Sequence, residues 1–376
     1  MHRFAGSADC NAMDPFSQAG LGAVVAQAAG YRQLGPKAAL LGAAVGAMPD
    51  VDVLFSIGGD FFDQLVLHRG ITHSLLFATV VGPALGWSVW FHERRRDPTL
   101  GARRRTRWML VLTLALLSHP LLDLLTPYGT QLLLPFSDAR FAVNAMPIID
   151  PIYTTLLFGG LLIAWVLRRG SILRVQAVTW GAFIASSAYL GYGWLQQERA
   201  LDAARHQLAD QGVAVERIAA FPTILQVHLR RVVARSADVD RVGFYSTWSP
   251  CEIEWFEAPR LGLETYRPVL TTREGRIFDW FTMGWAHYGI VPAAPGYRLT
   301  GGDLRYGFDE RPFDSIFSIS VPLDASFGMI GPPIAGRAWP DDSESALARL
   351  FERTYAPACR IFSAGVNPEP MNDNAG

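Results

Sequence analysis

Four apolar windows of about 20 residues, near 38–57, 71–91, 108–128 and 148–167, fill the first half of the chain, and a fifth runs from about 175 to 195. Each is long enough to cross the roughly 30 Å hydrocarbon core of a bilayer as a helix, which takes about 20 mainly apolar residues. A shorter Ala- and Gly-rich run at 16–29 reads as a short span or a re-entrant helix, because small residues let helices approach closely in lipid. The expected fold therefore begins as an α-helical polytopic membrane domain of five to six helices.

The arginines orient it. Arg94, Arg95, Arg96, Arg103, Arg104, Arg105 and Arg107 follow the second window, Arg168, Arg169 and Arg174 follow the fourth, and Arg32 and Lys37 precede the first. The excess of Lys and Arg in cytoplasmic loops puts all three groups inside. Loops 58–70 and 135–147 then face outward, and the fifth helix exits outward. Trp87, Trp90, Trp108 and Trp194, near helix ends, read as anchors at the membrane interface.

The second half has a different character. Over the whole chain 18% of residues are charged, below the roughly 25% of soluble proteins, but residues 196–376 have an ordinary soluble composition. A polar stretch at 196–211 reads as a helical stalk. Runs at 225–233, 242–247, 253–256, 297–308 and 315–321 alternate like strands, and 268–285 and 343–355 read as helices. Pro332-Pro333 and the tail after Val366 look irregular. These residues form a small extracytoplasmic α+β domain in this reading. The division is thus 1–12 as a leader before a second start at Met13-Asp14-Pro15, 13–195 as the transmembrane domain, and 196–376 as the C-terminal domain. A net charge of −1 gives no basic excess for nucleic acid. Cys10, Cys251 and Cys359 form no CxxC pair, and a bond between Cys251 and Cys359 stays open if that half lies outside the cytoplasm.

Polar motifs interrupt the apolar half. They are Pro49-Asp50-Val51-Asp52, His68-Arg69-Gly70-Ile71-Thr72-His73-Ser74, Ser118-His119-Pro120-Leu121-Leu122-Asp123 and Asp150-Pro151. The loop charges, which played no part in finding them, place all four at one membrane depth, near the outer face. Ionisable groups inside a span are expensive and mark function by default. Imidazole with carboxylate and no thiol suits Zn²⁺, with Fe or Mn²⁺ also open. His119 and Asp123, four apart, project from one helix face. Asp50 and Asp52 can bridge ions, or one can orient a histidine. The planar fork of Arg69 suits a phosphate or carboxylate. Asp150-Pro151 also reads as a plain helix start, and His2, His92, His206, His228 and His287 fall outside any cluster.

These motifs, with Tyr128-Gly129-Thr130 and Pro135-Phe136-Ser137, resemble in the same order the YdjM/YbcI-like inner-membrane proteins over about residues 13–170. That family is described as membrane-bound metal-dependent hydrolases. The resemblance implies metal-binding residues at His68, His73, His119 and Asp123, with Asp50 and Asp52 as further candidates. One departure is Ser17-Gln18, where many members carry Thr-His, so a first-helix ligand is in doubt. The residue set is also similar to that of zinc-dependent phospholipase C and related nucleases, which favours phosphoester chemistry.

The expectation is a metal-dependent hydrolase of the bacterial inner membrane, acting at its outer face on a phosphoester or ester, lipid-linked substrates included. One or two divalent ions, Zn²⁺ first, would be held by Asp52, His68, His73, His119 and Asp123. Asp50 would serve as base or further ligand, and Arg69 would hold substrate charge. Membrane lipids and a small-molecule or lipid-linked substrate are the expected partners. Two alternatives stay open: an ion-coupled transporter with the same residues as a cation path, and an envelope binding or stress module with a structural metal.

Overall fold

A computed structural model of the chain describes residues 14–355 apart from 295, 312, 313, 338 and 341. The leader at 1–12, the start at Met13, Cys10, Cys359 and the tail after Val366 lie outside the described residues.

The first half is helical. Helix α1 (Pro15–Leu34) starts at Asp14, whose carboxylate accepts from the Ser17 N–H at 2.9 Å, as an N-cap should. It is longer than the expected run at 16–29. Helix α2 (Lys37–Gly46) continues into a 3₁₀ segment (Met48–Ser56), α3 (Phe61–Leu67) is short, and a second 3₁₀ turn (Ile71–His73) leads into α4 (Leu75–Arg96). Helices α5 (Ala102–Asp123), α6 (Pro151–Val166) and α7 (Ile172–Asp210) follow.

Three segments are long and apolar enough to cross a membrane: Lys37–Ser56, Leu75–Arg96 and Pro151–Arg169. The expected windows at 108–128 and 175–195 fall in α5 and α7, which are not among the three. The reason in α5 is its own chemistry, since Arg107, His119, Pro120 and Asp123 dilute its apolar residues. The outer face of α6 leaves Leu162, Ile163, Trp165 and Val166 more than half exposed, a surface that suits lipid better than water.

Glycines set the helix spacing. A Cβ at Gly42 would stand 2.3 Å from Ala26 Cβ, and one at Gly46 would stand 2.8 Å from the Gln18 carbonyl oxygen, so α1 lies against α2 backbone to backbone. A Cβ at Gly86 would stand 2.4 Å from the Met109 backbone, which fixes α4 on α5 in the same way. Both pairs, Gly42 with Gly46 and Gly82 with Gly86, have the small-xxx-small spacing that favours close helix contact in membranes. Trp90 and Trp108 correct the expected interface role. Both are buried, with Trp108 Nε1 donating to Glu93 at 2.8 Å and Trp90 Nε1 to the Leu100 carbonyl at 3.2 Å.

The second half is rich in sheet. One antiparallel sheet runs β1 (Arg217–Pro222), β2 (Leu229–Arg235), β3 (Val239–Ser246), β4 (Phe256–Pro259), and a second runs β5 (Ala286–Ala293), β6 (Gly296–Asp303), β7 (Phe317–Leu323), β8 (Ile334–Arg337). The expected helical stretch 268–285 is two helices, α8 (Leu263–Leu270) and α9 (Arg273–Thr282), divided where Thr272 caps the second. Helix α10 (Ser343–Tyr355) closes the described chain. Strands β1, β5 and β8 were not expected. Cys251, between β3 and β4, is disulfide-bonded.

The two halves interlock. Helix α7 passes without a break through residue 195, and its later turns bury Ala200, Leu201 and Ala204 against Ala220, Val232 and Ile253 of the first sheet region. Phe62 and Leu65 of α3, with Tyr128 from the segment after α5, share a core with Phe278, Phe281, Phe317 and Ile319. Buried Arg230 donates to the carbonyls of Asn144 and Ala145, both at 2.9 Å, and of Gly193 at 2.6 Å. Arg305 reaches the Pro127 carbonyl at 2.8 Å.

Candidate metal centre

The polar motifs meet at one end of the helix bundle. Asp50 and Asp52 follow the C-terminus of α2, His68 to His73 precede α4, and His119 and Asp123 lie in the last turns of α5. Gln18 lies in the first turn of α1. Arg32, Lys37, Arg94 to Arg96, Arg103 to Arg107 and Arg168 lie at the opposite helix ends. Helix α7 starts at the arginine end and finishes at the site end, which carries the sheets to the side of the site.

His73 and His119 are fully buried, with their Nε2 atoms 2.9 Å apart. The Nδ1 of His119 lies 2.6 Å from the Gly46 carbonyl. A carbonyl only accepts, so Nδ1 carries the proton and Nε2 presents a lone pair. Gly46 ends α2, where carbonyls lack helical partners, and its missing side chain lets α1 pass behind it. The Nδ1 of His73 lies 3.2 Å from Asp52 Oδ2 and 3.0 Å from Thr72 Oγ1. Thr72 Oγ1 donates to Asp52 Oδ2 at 3.1 Å, so its lone pair is free to accept from His73. Both imidazoles therefore turn lone pairs toward one point, and two lone pairs at that distance need an electrophile between them.

Carboxylates complete the arrangement. Asp50 Oδ1 lies 3.2 Å from His119 Nε2 and 3.5 Å from His73 Nε2. Asp123 Oδ2 lies 3.3 Å from His73 Nε2 and 3.5 Å from His119 Nε2. Asp123 Oδ1 is held by Gln18 Nε2 at 2.9 Å and Arg69 Nη2 at 3.2 Å. Asp50 Oδ2 and Asp123 Oδ2 are buried and have no hydrogen-bond partner among the described residues. Asp50, His73 and His119 form a group able to hold a metal ion, and the orphaned carboxylate oxygens fit the same use.

The expected residues thus take different places. Asp50, expected as base or further ligand, stands with the two imidazoles. Asp52, expected as a ligand, is the anchor beneath them, taking His68 Nδ1 at 3.0 Å on Oδ1 and the Arg69 N–H at 2.9 Å on Oδ2. Geometry gives the reason: its oxygens face Nδ1 atoms, and the Nε2 atoms point away to the group. His68 lies across Asp52 from that group, its ring 5.3 Å from Tyr128. Arg69 has positive φ (56°), uncommon outside glycine, and that backbone turn sends its guanidinium to Asp123 and to Thr126 Oγ1 at 2.7 Å. Asp150 takes the plainer reading, capping α6 through the Tyr153 N–H at 2.9 Å and accepting from Tyr189 at 3.0 Å. Gln18 is at the site after all, as the amide that fixes Asp123. Sequence reasoning missed Thr72, Thr126 and the Gly46 carbonyl. Thr72 sits inside the motif, but nothing in the sequence marks a backbone oxygen.

The model of the YdjM inner membrane protein family matches residues 13–200, half of the 376-residue chain. The chain belongs to the YdjM inner membrane protein family. Inner membrane protein YbcI of Escherichia coli (strain K12) is 39% identical over 114 residues, 30% of this chain. The chain spans 61% of that relative's length. No solved structure matches. The matched region of this YdjM-family chain contains every residue of the centre, from Gln18 to Asp123, and leaves the sheets outside it.

Proposed function

We propose that the protein is a metal-dependent hydrolase whose centre faces the outer side of the inner membrane. The converging Nε2 lone pairs of His73 and His119, flanked by carboxylate oxygens with no hydrogen-bond partner among the described residues, carry the reading. His73, His119, Asp50 and Asp123 would hold one divalent ion, with Zn²⁺ the first choice for this donor set. Such an ion supplies Lewis acidity, which acidifies water and withdraws charge from a phosphoryl or carbonyl oxygen. Asp52 and Gly46 set the tautomers, and Gln18 and Arg69 hold Asp123. Asp50 Oδ2 takes the proton of the attacking water. The water oxygen bonds to phosphorus or the acyl carbon, the P–O or acyl C–O ester bond breaks, and the released alkoxide takes the proton from Asp50 to leave as an alcohol.

The disulfide at Cys251 supports an extracytoplasmic C-terminal half, because such bonds persist in oxidising compartments. An apolar core lies toward the arginine end of the bundle, built from Ala26, Leu34, Ala38, Val111, Leu112 and Ala115. That favours a one-sided site over a cation path.

Metal content of the detergent-purified protein tests the reading. Wild type should carry close to one Zn, Fe or Mn per chain, and His73→Ala and His119→Ala should carry none. The loaded wild type should cleave members of a p-nitrophenyl phosphate, phosphodiester and ester panel. A wild type that stays metal-free after reconstitution, or a loaded protein inert on the whole panel, overturns it.

A further inference from the structure

A cavity of about 140 Å³ lies between the outer segments of the helical half and the sheet-rich half. Its walls are mainly apolar, with Phe61, Leu65 and Ile149 from one half and Ile224, Phe308 and Leu350 from the other. His68 and Arg69 lie in its wall, and Arg69 also lines the smaller cavity beside Asp50 and Asp123, so the cleft adjoins the metal centre.

The unpartnered polar atoms of the cleft share one character. Arg69 Nε, Arg231 Nη2, the Tyr306 hydroxyl and Trp339 Nε1 are buried and have no hydrogen-bond partner among the described residues. All four can donate. No carboxylate is among the described residues that line the cleft. Arg69 and Arg305 answer to Asp123 and Asp303. Arg231 touches no carboxylate among the described residues. It is 2% exposed, its Nε donates to the Leu304 carbonyl at 2.8 Å, its Nη1 donates to the Asp309 carbonyl, and it forms no ion pair among the described residues. Gly307 makes room for it, since a Cβ there would stand 3.0 Å from Arg231 Cζ. Burial holds this guanidinium down to about 10, which leaves it charged at neutral pH. Asp309, Glu310 and Asp303 act on this charge only through space, and a buried charge with no directly paired partner is unfavourable, so the cleft has room for an anion on the free Nη2.

We propose that this cleft is the substrate site for an amphiphilic phosphate: Arg231, Tyr306 and Trp339 hold the anionic head beside Arg69, and the apolar walls take the chain attached to it. The sheet-rich half thereby supplies specificity to a centre whose metal-holding residues all come from the helical half. The inference rests on the proposed hydrolase only for turnover. Head recognition by donors and tail burial by apolar walls are properties of the cleft itself.

Binding to the metal-free full-length protein in detergent tests the cleft apart from catalysis. The probes are dodecyl phosphate, dodecyltrimethylammonium, butyl phosphate and inorganic phosphate, followed by tryptophan fluorescence and calorimetry. Dodecyl phosphate should bind at least tenfold more tightly than each of the others. Arg231→Met should weaken it by tenfold or more. Because that change touches a buried group, Tyr306→Phe and Trp339→Phe give the safer test. Each deletes a donor with no partner among the described residues, so thermal stability should hold while dodecyl phosphate affinity falls by several-fold. Equal binding of the cationic and anionic amphiphiles, equal binding of butyl and dodecyl phosphate, or unchanged affinity in both conservative variants overturns the proposal. Tight binding of dodecyl phosphate with no cleavage by the metal-loaded protein leaves the cleft standing and removes the hydrolase instead.

Discussion

At His119 the proton sits on Nδ1 because Gly46 offers only a carbonyl oxygen, and at His73 Asp52 does the same work with a charge. Partners of this kind raise ligand basicity, and losing one typically lowers metal affinity by about 10- to 100-fold. Asp52→Asn should therefore keep the metal site but weaken it within that range, measured by competition with a chelator, whereas His119→Ala should abolish it. A second residue prediction concerns the sheets. Burial alone would raise the Asp240 carboxyl, but hydrogen bonds from His287 and Arg235 outweigh it and hold the group below the ordinary carboxylate range. Its stabilisation is then present above that range and lost as pH falls through the folded value. In pH-dependent thermal unfolding, the gap between wild type and Asp240→Asn should narrow on acidification below about pH 4. A constant gap would show that the charge is not what matters. The polar cluster was legible in sequence because ionisable residues stand out in an apolar background. The division of labour between Asp50 and Asp52 was not, since it depends on which imidazole nitrogen each carboxylate meets.

Among the elements, two glycine contacts separate packing from site geometry. A side chain at Gly86 would strike the Met109 backbone, far from the centre, whereas one at Gly46 would strike α1 and displace the carbonyl that orients His119. Gly86→Val should destabilise by about 1–3 kcal/mol, the usual scale of overpacking, and still bind metal. Gly46→Val should lose stability and metal together. Thermal unfolding with metal content on each purified variant reads both. The apolar windows foretold the helices because lipid demands long apolar runs. Strands β1, β5 and β8 escaped because β1 ends on Pro222, β5 contains Gly289 and Pro292, and β8 follows Pro332-Pro333. Proline and glycine read as breaks, and only pairing with neighbouring strands overrides that reading.

For the whole molecule, the separation of arginines from the metal centre predicts a topology. A reporter active only outside the cytoplasm should work when fused after Tyr355 and fail when inserted at Thr99. The reverse pattern would turn the centre to the cytoplasm. The interlocking of the two halves was not visible in sequence, because Phe62 and Leu65 look like ordinary loop residues until the sheets cover them. Helix α7 runs for 39 residues, about 58 Å at 1.5 Å per residue, with no proline inside it. Its later turns bury Ala200, Leu201 and Ala204 against the first sheet region. A helix continuous from residue 172 to residue 210 is a strut, and any tilt of its first turns is handed on to the sheet packed at its far end.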